Sequence, residues 1–463
     1  MYSRPCETES RMRRLVARLK TFSPLANPLR LLLVAFAALI IVGAVLLVLP
    51  VSRADGSEAN FVTALFTSTS AVCVTGLTVV DTTTYWSGFG QVVIALLIQL
   101  GGLGIVTLAT LAFMLLSDRL GIFHMKTLAA ETGVDSLAGV RGLVRTIVGV
   151  TLACEAVIAL VLSLRFWTAY DMPFDSGLYH GVFHAISAWN NAGFALYSDN
   201  MIRFVSDPIV SITISVAVIL GGIGFPVLRG FWQHRFRVQR WSLHMRLTVV
   251  ATGVLLLIGF FGFLIFEWTN TKTFGLLSVV DKTNAAFFQS VQPRTAGFNS
   301  VDTQALTEES ILVTLALMFI GGGSASTAGG VKVATFALLA YVMWAEIRGD
   351  SDVTVFKRRV PSTVVRQAIT VALAGVGVVA VSTLALSITG DYGLVNSAFE
   401  AISALSTVGL SVGVSNSDNT LSELILIALM YIGRLGPITL AAALVLRAQP
   451  NMFRYPEDRP LIG

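Results

Sequence analysis

Four stretches of this 463-residue chain align without gaps on a glycine: SAVCVTGL at 70–77, SAWNNAGF at 187–194, VQPRTAGF at 291–298 and SALSTVGL at 403–410. The shared residues are Gly76, Gly193, Gly297 and Gly409, preceded by the pairs Val74-Thr75, Asn191-Ala192, Thr295-Ala296 and Thr407-Val408. No Ser/His/Asp set or carboxylate pair accompanies them, so the chemistry on offer is that of the main chain. Glycine reaches positive φ without a Cβ clash, which lets a turn present its carbonyls. A ring of such carbonyls can replace the hydration shell of an alkali cation. A lone glycine would suggest helix packing. Four in register point to an ion filter built from these twelve residues.

A second alignment lies downstream of each glycine: GGLG at 101–104, GGIG at 221–224, GGGS at 321–324 and GRLG at 433–436. Arg434 stands where the other three segments have Gly102, Gly222 and Gly322. An arginine at the centre of a membrane helix costs roughly 2.5–3.5 kcal/mol, so it must face a wet cavity or a partner. The expectation is an electrostatic barrier below the filter, and the alternative is an ion pair with Glu155. The third segment carries GGGSASTAGG at 321–330 inside what should be one helix. Each interior glycine costs about 1 kcal/mol against alanine, so a break is expected. Gly321, Gly322, Gly323, Ser324, Ser326, Thr327, Gly329, Gly330 and Lys332 form, with Arg434, the expected gate. A packing kink is the alternative. His180 and His184 have the spacing of a helical metal pair, but the sequence HGVFH lacks the glutamate of that motif. Helix packing is favoured there, so neither an enzyme nor a metal site is expected beyond the permeating monovalent cation.

The elements that would hold such a filter are legible in the hydropathy. Charged residues make up 13% of the chain and apolar residues 54%, against about 25% charge in soluble proteins; the mean hydropathy is +0.76. A soluble enzyme and a disordered chain are excluded. Cys6, Cys73 and Cys154 offer no disulfide framework. The run 31–50 is uncharged, and ~20 residues at 1.5 Å each cross a ~30 Å core. Further spans are expected at 89–116, 146–166, 208–228, 247–267, 311–345, 367–389 and 421–446. Apolar runs at 60–70, 179–189, 280–290 and 395–404 are too short to cross and suit re-entrant helices.

Most of the 32 Lys and Arg fall in the N-terminal tail, in alternate loops and near the C-terminus, which places both termini in the cytoplasm. The other loops are acidic, and Asp81, Asp199, Asp302 and Asp418 could concentrate cations at a pore mouth or be solvated loop residues. Each unit holds two crossings, so the four run parallel. The expected fold is an all-α integral membrane protein, four M1–P-loop–M2 repeats around a pseudo-fourfold central pore, with eight spanning and four re-entrant pore helices. The boundaries are a cytoplasmic tail 1–30, repeats 31–117, 146–235, 243–346 and 362–447, and a cytoplasmic tail 448–463. Inverted-repeat carriers have a different internal symmetry; a sodium- or proton-coupled carrier is the second functional reading.

CVTGLTVVDT (73–82), PRTAGFN (293–299) and GGGSASTAGGVK (321–332) resemble the Trk/Ktr/HKT superfamily of cation-translocating subunits, over nearly the whole chain. Eight crossings without an extra N-terminal pair look most like the Ktr-type membrane subunit. The resemblance implies potassium uptake at the plasma membrane, a homodimer with one pore per subunit, and a cytosolic ring of nucleotide-binding RCK regulatory subunits. It also implies that the tail Arg459–Gly463 packs at the dimer interface. No nucleotide fingerprint occurs in this chain, so no cofactor is expected on it, and a nucleotide belongs to the partner. No nucleic-acid partner is expected. The basic loops Arg229–Arg246 and Lys357–Arg359 could dock acidic patches of that regulator, or serve topology and anionic lipid contact.

Overall fold

The structure is a computed structural model that describes residues 28–117, 137–235, 237–415 and 419–446. The tails, Cys6, Asp418 and the stretch 118–136 lie outside the described residues. The described residues are mostly helical. Helix α1 (Pro28–Val48) is followed by a short α2 (Phe61–Val72) and a long α3 (Gly88–Ser117). The second segment repeats this with α4 (Leu137–Ala169), short α5 (Phe174–Trp189) and α6 (Pro208–Ile223). After α7 (Phe225–His234) come α8 (Leu243–Phe266), short α9 (Val279–Val291), and then α10 (Glu308–Phe319) and α11 (Val333–Arg348) in place of one long helix. The last segment is α12 (Ser362–Thr389), short α13 (Leu394–Leu405) and α14 (Thr420–Leu446).

Two breaks interrupt the expected spans. A straight helix over 208–228 is not observed: α6 and α7 meet at 96°. Gly224 sits between them at φ 98°, and Pro226, which lacks an N–H, starts the new helix. From Ile320 to Lys332 the third segment leaves helical geometry. A parallel bridge pairs Ile320 with Val331, and Gly321 N–H donates to the Val331 carbonyl at 2.9 Å. The chain thus loops out and returns to resume its course at Val333.

Val144–Ala169, Leu243–Phe266 and Ser362–Thr389 are each long and apolar enough to cross a membrane, as is the bent pair α6–α7 taken together. Their outward faces are apolar rather than charged: Val157, Leu160, Leu257, Phe261, Leu373 and Leu384 are all exposed. Such a surface suits lipid, not water. Polar groups are instead turned inward, among them Ser68, Ser187, Gln292 and Ser403.

Contacts between segments run in one direction. Helix α3 packs on the next short helix α5, α6 on α9, α10 on α13, and α14 back on α2. The chain therefore closes on itself, with every short helix held between its own segment and its neighbour. Between α11 and α12 lies a hairpin of β1 (Thr354–Val355) and β2 (Arg358–Arg359). Its two turn residues, Phe356 and Lys357, both have positive φ, as a two-residue hairpin turn with the twist of its strands requires.

Candidate ion pathway

Three of the short helices stop in the same way. Cys73, Asn190 and Ser406 are helical caps, and the next residues, Val74, Asn191 and Thr407, turn left-handed at φ 56°, 62° and 50°. The N–H groups of Thr75, Ala192 and Val408 then reach back to the carbonyls of Ser70, Ser187 and Ser403 at 2.7–2.8 Å. This is the six-to-one bond of a Schellman stop. Glycine usually occupies the left-handed position; here two of the three residues are β-branched, a backbone arrangement that costs energy and concentrates at functional sites. Two residues on, Gly76, Gly193 and Gly409 are left-handed in turn.

The four glycines meet. A Cβ built on Gly76 would press on the Ala192 carbonyl oxygen and stand 3.1 Å from the Gly193 Cα. The same test carries Gly193 to Ala296 and Gly297, Gly297 to Val408 and Gly409, and Gly409 to Thr75 and Gly76. The cycle closes, so Gly193 and Gly409 face each other across the ring. Every predicted filter residue lies on one of these four strands. No side chain fits at any of the four glycine positions.

The third strand arrives by another route. Helix α9 ends at Val291, two residues earlier relative to its glycine, because Pro293 has no N–H to continue it. Thr295 still takes the left-handed turn at φ 72°. Arg294 lies between two expected spans, where the charge pattern reads as outer loop, but the structure buries it, with Nη2 donating to Thr252 Oγ1 at 3.3 Å. Glu400, also between two expected spans and so read as an outer acid, is likewise fully buried on α13. Both corrections have one cause: a re-entrant segment puts residues that look like loop into the protein interior.

The predicted gate residues gather beside the ring. Arg434 is 4% exposed and its Nη1 donates to the Thr327 carbonyl. Its Nε and Nη2 have no protein partner among the described residues. The expected alternative pairing with Glu155 is not made: Glu155 accepts from Gln99 Nε2 and Asn190 Nδ2, both at 3.1 Å. Thr327 also donates its hydroxyl to Asn191 Oδ1 at 3.3 Å, linking the loop to the second of the four strands. Lys332 Nζ donates to the Ala328 carbonyl at 2.6 Å, and Ser326 Oγ to that of Gly323 at 2.7 Å. Gly323 N–H bonds the Gly222 carbonyl at 2.8 Å. A side chain on Gly329 would enter the space of Thr407, so Gly321, Gly322, Ser324 and Gly330 belong to a loop that lies against the fourth strand as well.

The second glycine alignment is a packing device. A Cβ on Gly101, Gly221 or Gly433 would collide with the last carbonyl of its own short helix, that of Val72, Trp189 or Leu405. Membrane helices approach closely where residues are small. In the third segment Gly321 faces the Gly329 carbonyl of the loop instead.

His184 and His180 do not form a metal pair. His184 donates Nδ1–H to the His180 carbonyl at 2.7 Å and accepts the Leu196 N–H at Nε2 at 3.2 Å. Both of its nitrogens are used. Among the described residues no group of three His, Cys, Asp or Glu could hold a metal. Asp199 pairs with Arg203 at 2.7 Å, and Asp302 caps the turn at Gln304. Asp81 caps Thr83 at 2.8 Å. Partial burial pushes its carboxyl up, but donors on Ser198, Thr83 and Thr84 outweigh this and hold it below its ordinary value. These acids serve local structure.

Sequence reasoning on the glycines alone missed two recurrences. Phenylalanine stands ten residues before each glycine, at Phe66, Phe183, Phe287 and Phe399, and serine six before three of them, at Ser70, Ser187 and Ser403. The serines open three of the four aligned stretches, and extending the alignment upstream finds the phenylalanines.

The family described as TrkH, cation transport protein, matches residues 35–455. Ktr system potassium uptake protein B of Bacillus subtilis (strain 168) is 40% identical over 437 residues, covering 94% of this chain and 97% of that one. The protein of the same name from Vibrio alginolyticus is 39% identical, covering 94% of each. The potassium/sodium uptake protein NtpJ of Enterococcus hirae is 34% identical, over 94% and 97%. The crystal structure of the potassium transporter TrkH from Vibrio parahaemolyticus superposes with a TM-score of 0.70 at 20% identity, over 91% of this chain and 84% of that one, a likeness of fold.

Proposed function

Because the chain belongs to the TrkH family of cation transport proteins, we propose that it takes up potassium through a channel-like path across the plasma membrane. The observation that carries this reading is the closed cycle in which each glycine's side-chain position is taken by the next strand's carbonyl. Four strands that meet this closely bring the peptide oxygens of Thr75, Ala192, Ala296 and Val408 to one place. There they can exchange for the water shell of a monovalent cation. Four short helices end at the ring, and their C-termini add partial negative charge. Irregular backbone at membrane depth is tolerated when it lines such a path.

In this reading the chain is four parallel helix–pore helix–helix units with eight crossings, and both termini are cytoplasmic. The loop 321–330, held by Arg434 through Thr327, is the gate, and the buried guanidinium is the barrier below the filter. The family resemblance implies a homodimer worked by a cytosolic nucleotide-binding ring, and the word system in the names of two relatives fits a transporter of more than one component. The exposed basic hairpin at Lys357 and Arg358 is a docking point of suitable charge. Only the glycine repeats in all four strands, so selection of potassium over sodium is weaker than in a filter with four identical sequences. Coupling to sodium or protons has no specific observation in its favour.

The test is uptake of potassium, rubidium and sodium into proteoliposomes, with and without Gly409→Ser. The substitution pushes a side chain onto the Thr75 carbonyl and should abolish potassium preference. An unchanged ion ranking in a folded variant would reject the filter.

A further inference from the structure

The second and fourth strands, which face each other across the ring, share a brace that the other two lack. Nine residues before Gly193 stands His184, and nine before Gly409 stands Glu400. His184 Nε2 accepts the N–H of Leu196 at 3.2 Å, and Glu400 Oε1 accepts that of Val412 at 3.2 Å. Leu196 and Val412 each lie three residues past their glycine. A heterocycle and a carboxylate thus take the same backbone donor at the same register. Glu400 also accepts the Val414 N–H at 3.2 Å and the Ser411 hydroxyl. The carbonyl just past each glycine is tied as well: Ser187 Oγ donates to Phe194 at 2.8 Å and Ser403 Oγ to Leu410 at 2.6 Å. The equivalent positions of the other strands hold Thr67 and Phe288 for the acceptor, and Phe288 has none to offer.

We infer that Glu400 and His184 are positioning residues for ion selection, holding two opposed filter strands at the peptides that follow their glycines. The inference rests on the filter reading above. A carbonyl ring that can contract accommodates the smaller sodium ion; anchoring two opposed strands from behind limits that contraction. His184 is fitted for this as a neutral ring, since Nδ1–H is committed to the His180 carbonyl and Nε2 is left as an acceptor. Neither residue touches the ion. Each acts through a backbone bond about as deep in the protein as any in the fold, for both are 0% exposed.

The experiment measures the potassium-to-sodium uptake ratio of the full-length protein in proteoliposomes for Glu400→Ala, Glu400→Gln, Ser403→Ala and Gly409→Ser. Glu400→Ala removes all three of the carboxylate's hydrogen bonds and should lower the ratio by about tenfold or more, tenfold being the worth of the one to Val412 expressed as a ratio. Glu400→Gln keeps an oxygen at the same place and should restore it to within about twofold. A general loss of packing would not be rescued in this way. An alanine variant with the wild-type ratio, or a glutamine variant as poor as alanine, would overturn the inference. If Glu400→Ala does not fold, Ser403→Ala decides: it removes two bonds from the same strand, those with Gly409 and Leu410, and should shift the ratio in the same direction, and no shift rejects the brace. Gly409→Ser separates the two levels. If it leaves the ratio intact the filter reading fails; if it acts while Glu400→Ala and Ser403→Ala do not, only the brace fails.

Discussion

In the fourth segment the short helix runs to Leu405, Thr407 makes the left-handed turn, and Ser403 bonds the backbone on both sides of the bend, accepting from Gly409 at 3.2 Å and donating to Leu410 at 2.6 Å. In the third the helix stops at Val291, which stands where Ser403 does, and the Gly297 N–H turns to the Gln292 carbonyl at 3.2 Å. Both strands still deliver their glycine to the same ring. The ring therefore demands the glycine and a left-handed residue two before it, while the support behind is free to differ. The departures also collect in one place. Pro293, the buried Arg294, the missing serine and the loop 321–330 all belong to the third segment, and that loop in turn rests against the fourth strand.

That contrast can be broken most forcefully at Gly433. A valine there would drive its side chain into the Leu405 carbonyl and should cost about 3 kcal/mol by overpacking, seen as loss of a monodisperse peak or a sharp drop in the melting temperature of the purified protein. The next effect in size concerns the loop. On the barrier reading, Arg434→Ala should raise potassium flux about tenfold, since even part of the cost of a buried cation in the path suffices for that factor. Unchanged flux at normal expression would leave Arg434 as a tether for Thr327. The smallest effects sharpen the comparison itself. Ser187→Ala should lower stability by about 1 kcal/mol through the lost bond to Phe194. Val291→Ser, which restores the serine pattern on paper, should cost about 1 kcal/mol rather than stabilise, because the Gly297 N–H it would meet is already bonded. Thermal unfolding of both variants checks the pair, and a stabilised Val291→Ser would show the third strand to be supported like the others.

Much of this was legible in the sequence, for reasons of length and period. Runs of ten to thirteen apolar residues cannot cross a bilayer, and short helices lie where those runs are. The aligned glycines could be assigned to one ring because the segments recur with the same internal spacing. Left-handed Val74 and Thr407 were not legible, since β-branched residues are the last expected at positive φ. The burial of Glu400 and Arg294 was hidden for a different reason: counting charges by loop takes every residue between two spans to be wet. The 96° bend after Ile223 did leave a trace, in Gly224 followed by Pro226, but the apolar run on either side outweighed it in a window average.

Helix α14 is the last of the described elements, and it is also the one that returns to α2. A chain emerging from the ribosome can therefore hold three of the four glycine strands in place for many seconds, at about 5–20 residues per second, while one flank of the bend at Gly76 has nothing beside it. Synthesis must pass Gly409 before the cycle of glycines can close on Thr75 and Gly76, and Thr420 before α14 can cover α2. A nascent chain arrested before Gly409 lacks the strand that closes the cycle of glycines, however well the first three are packed.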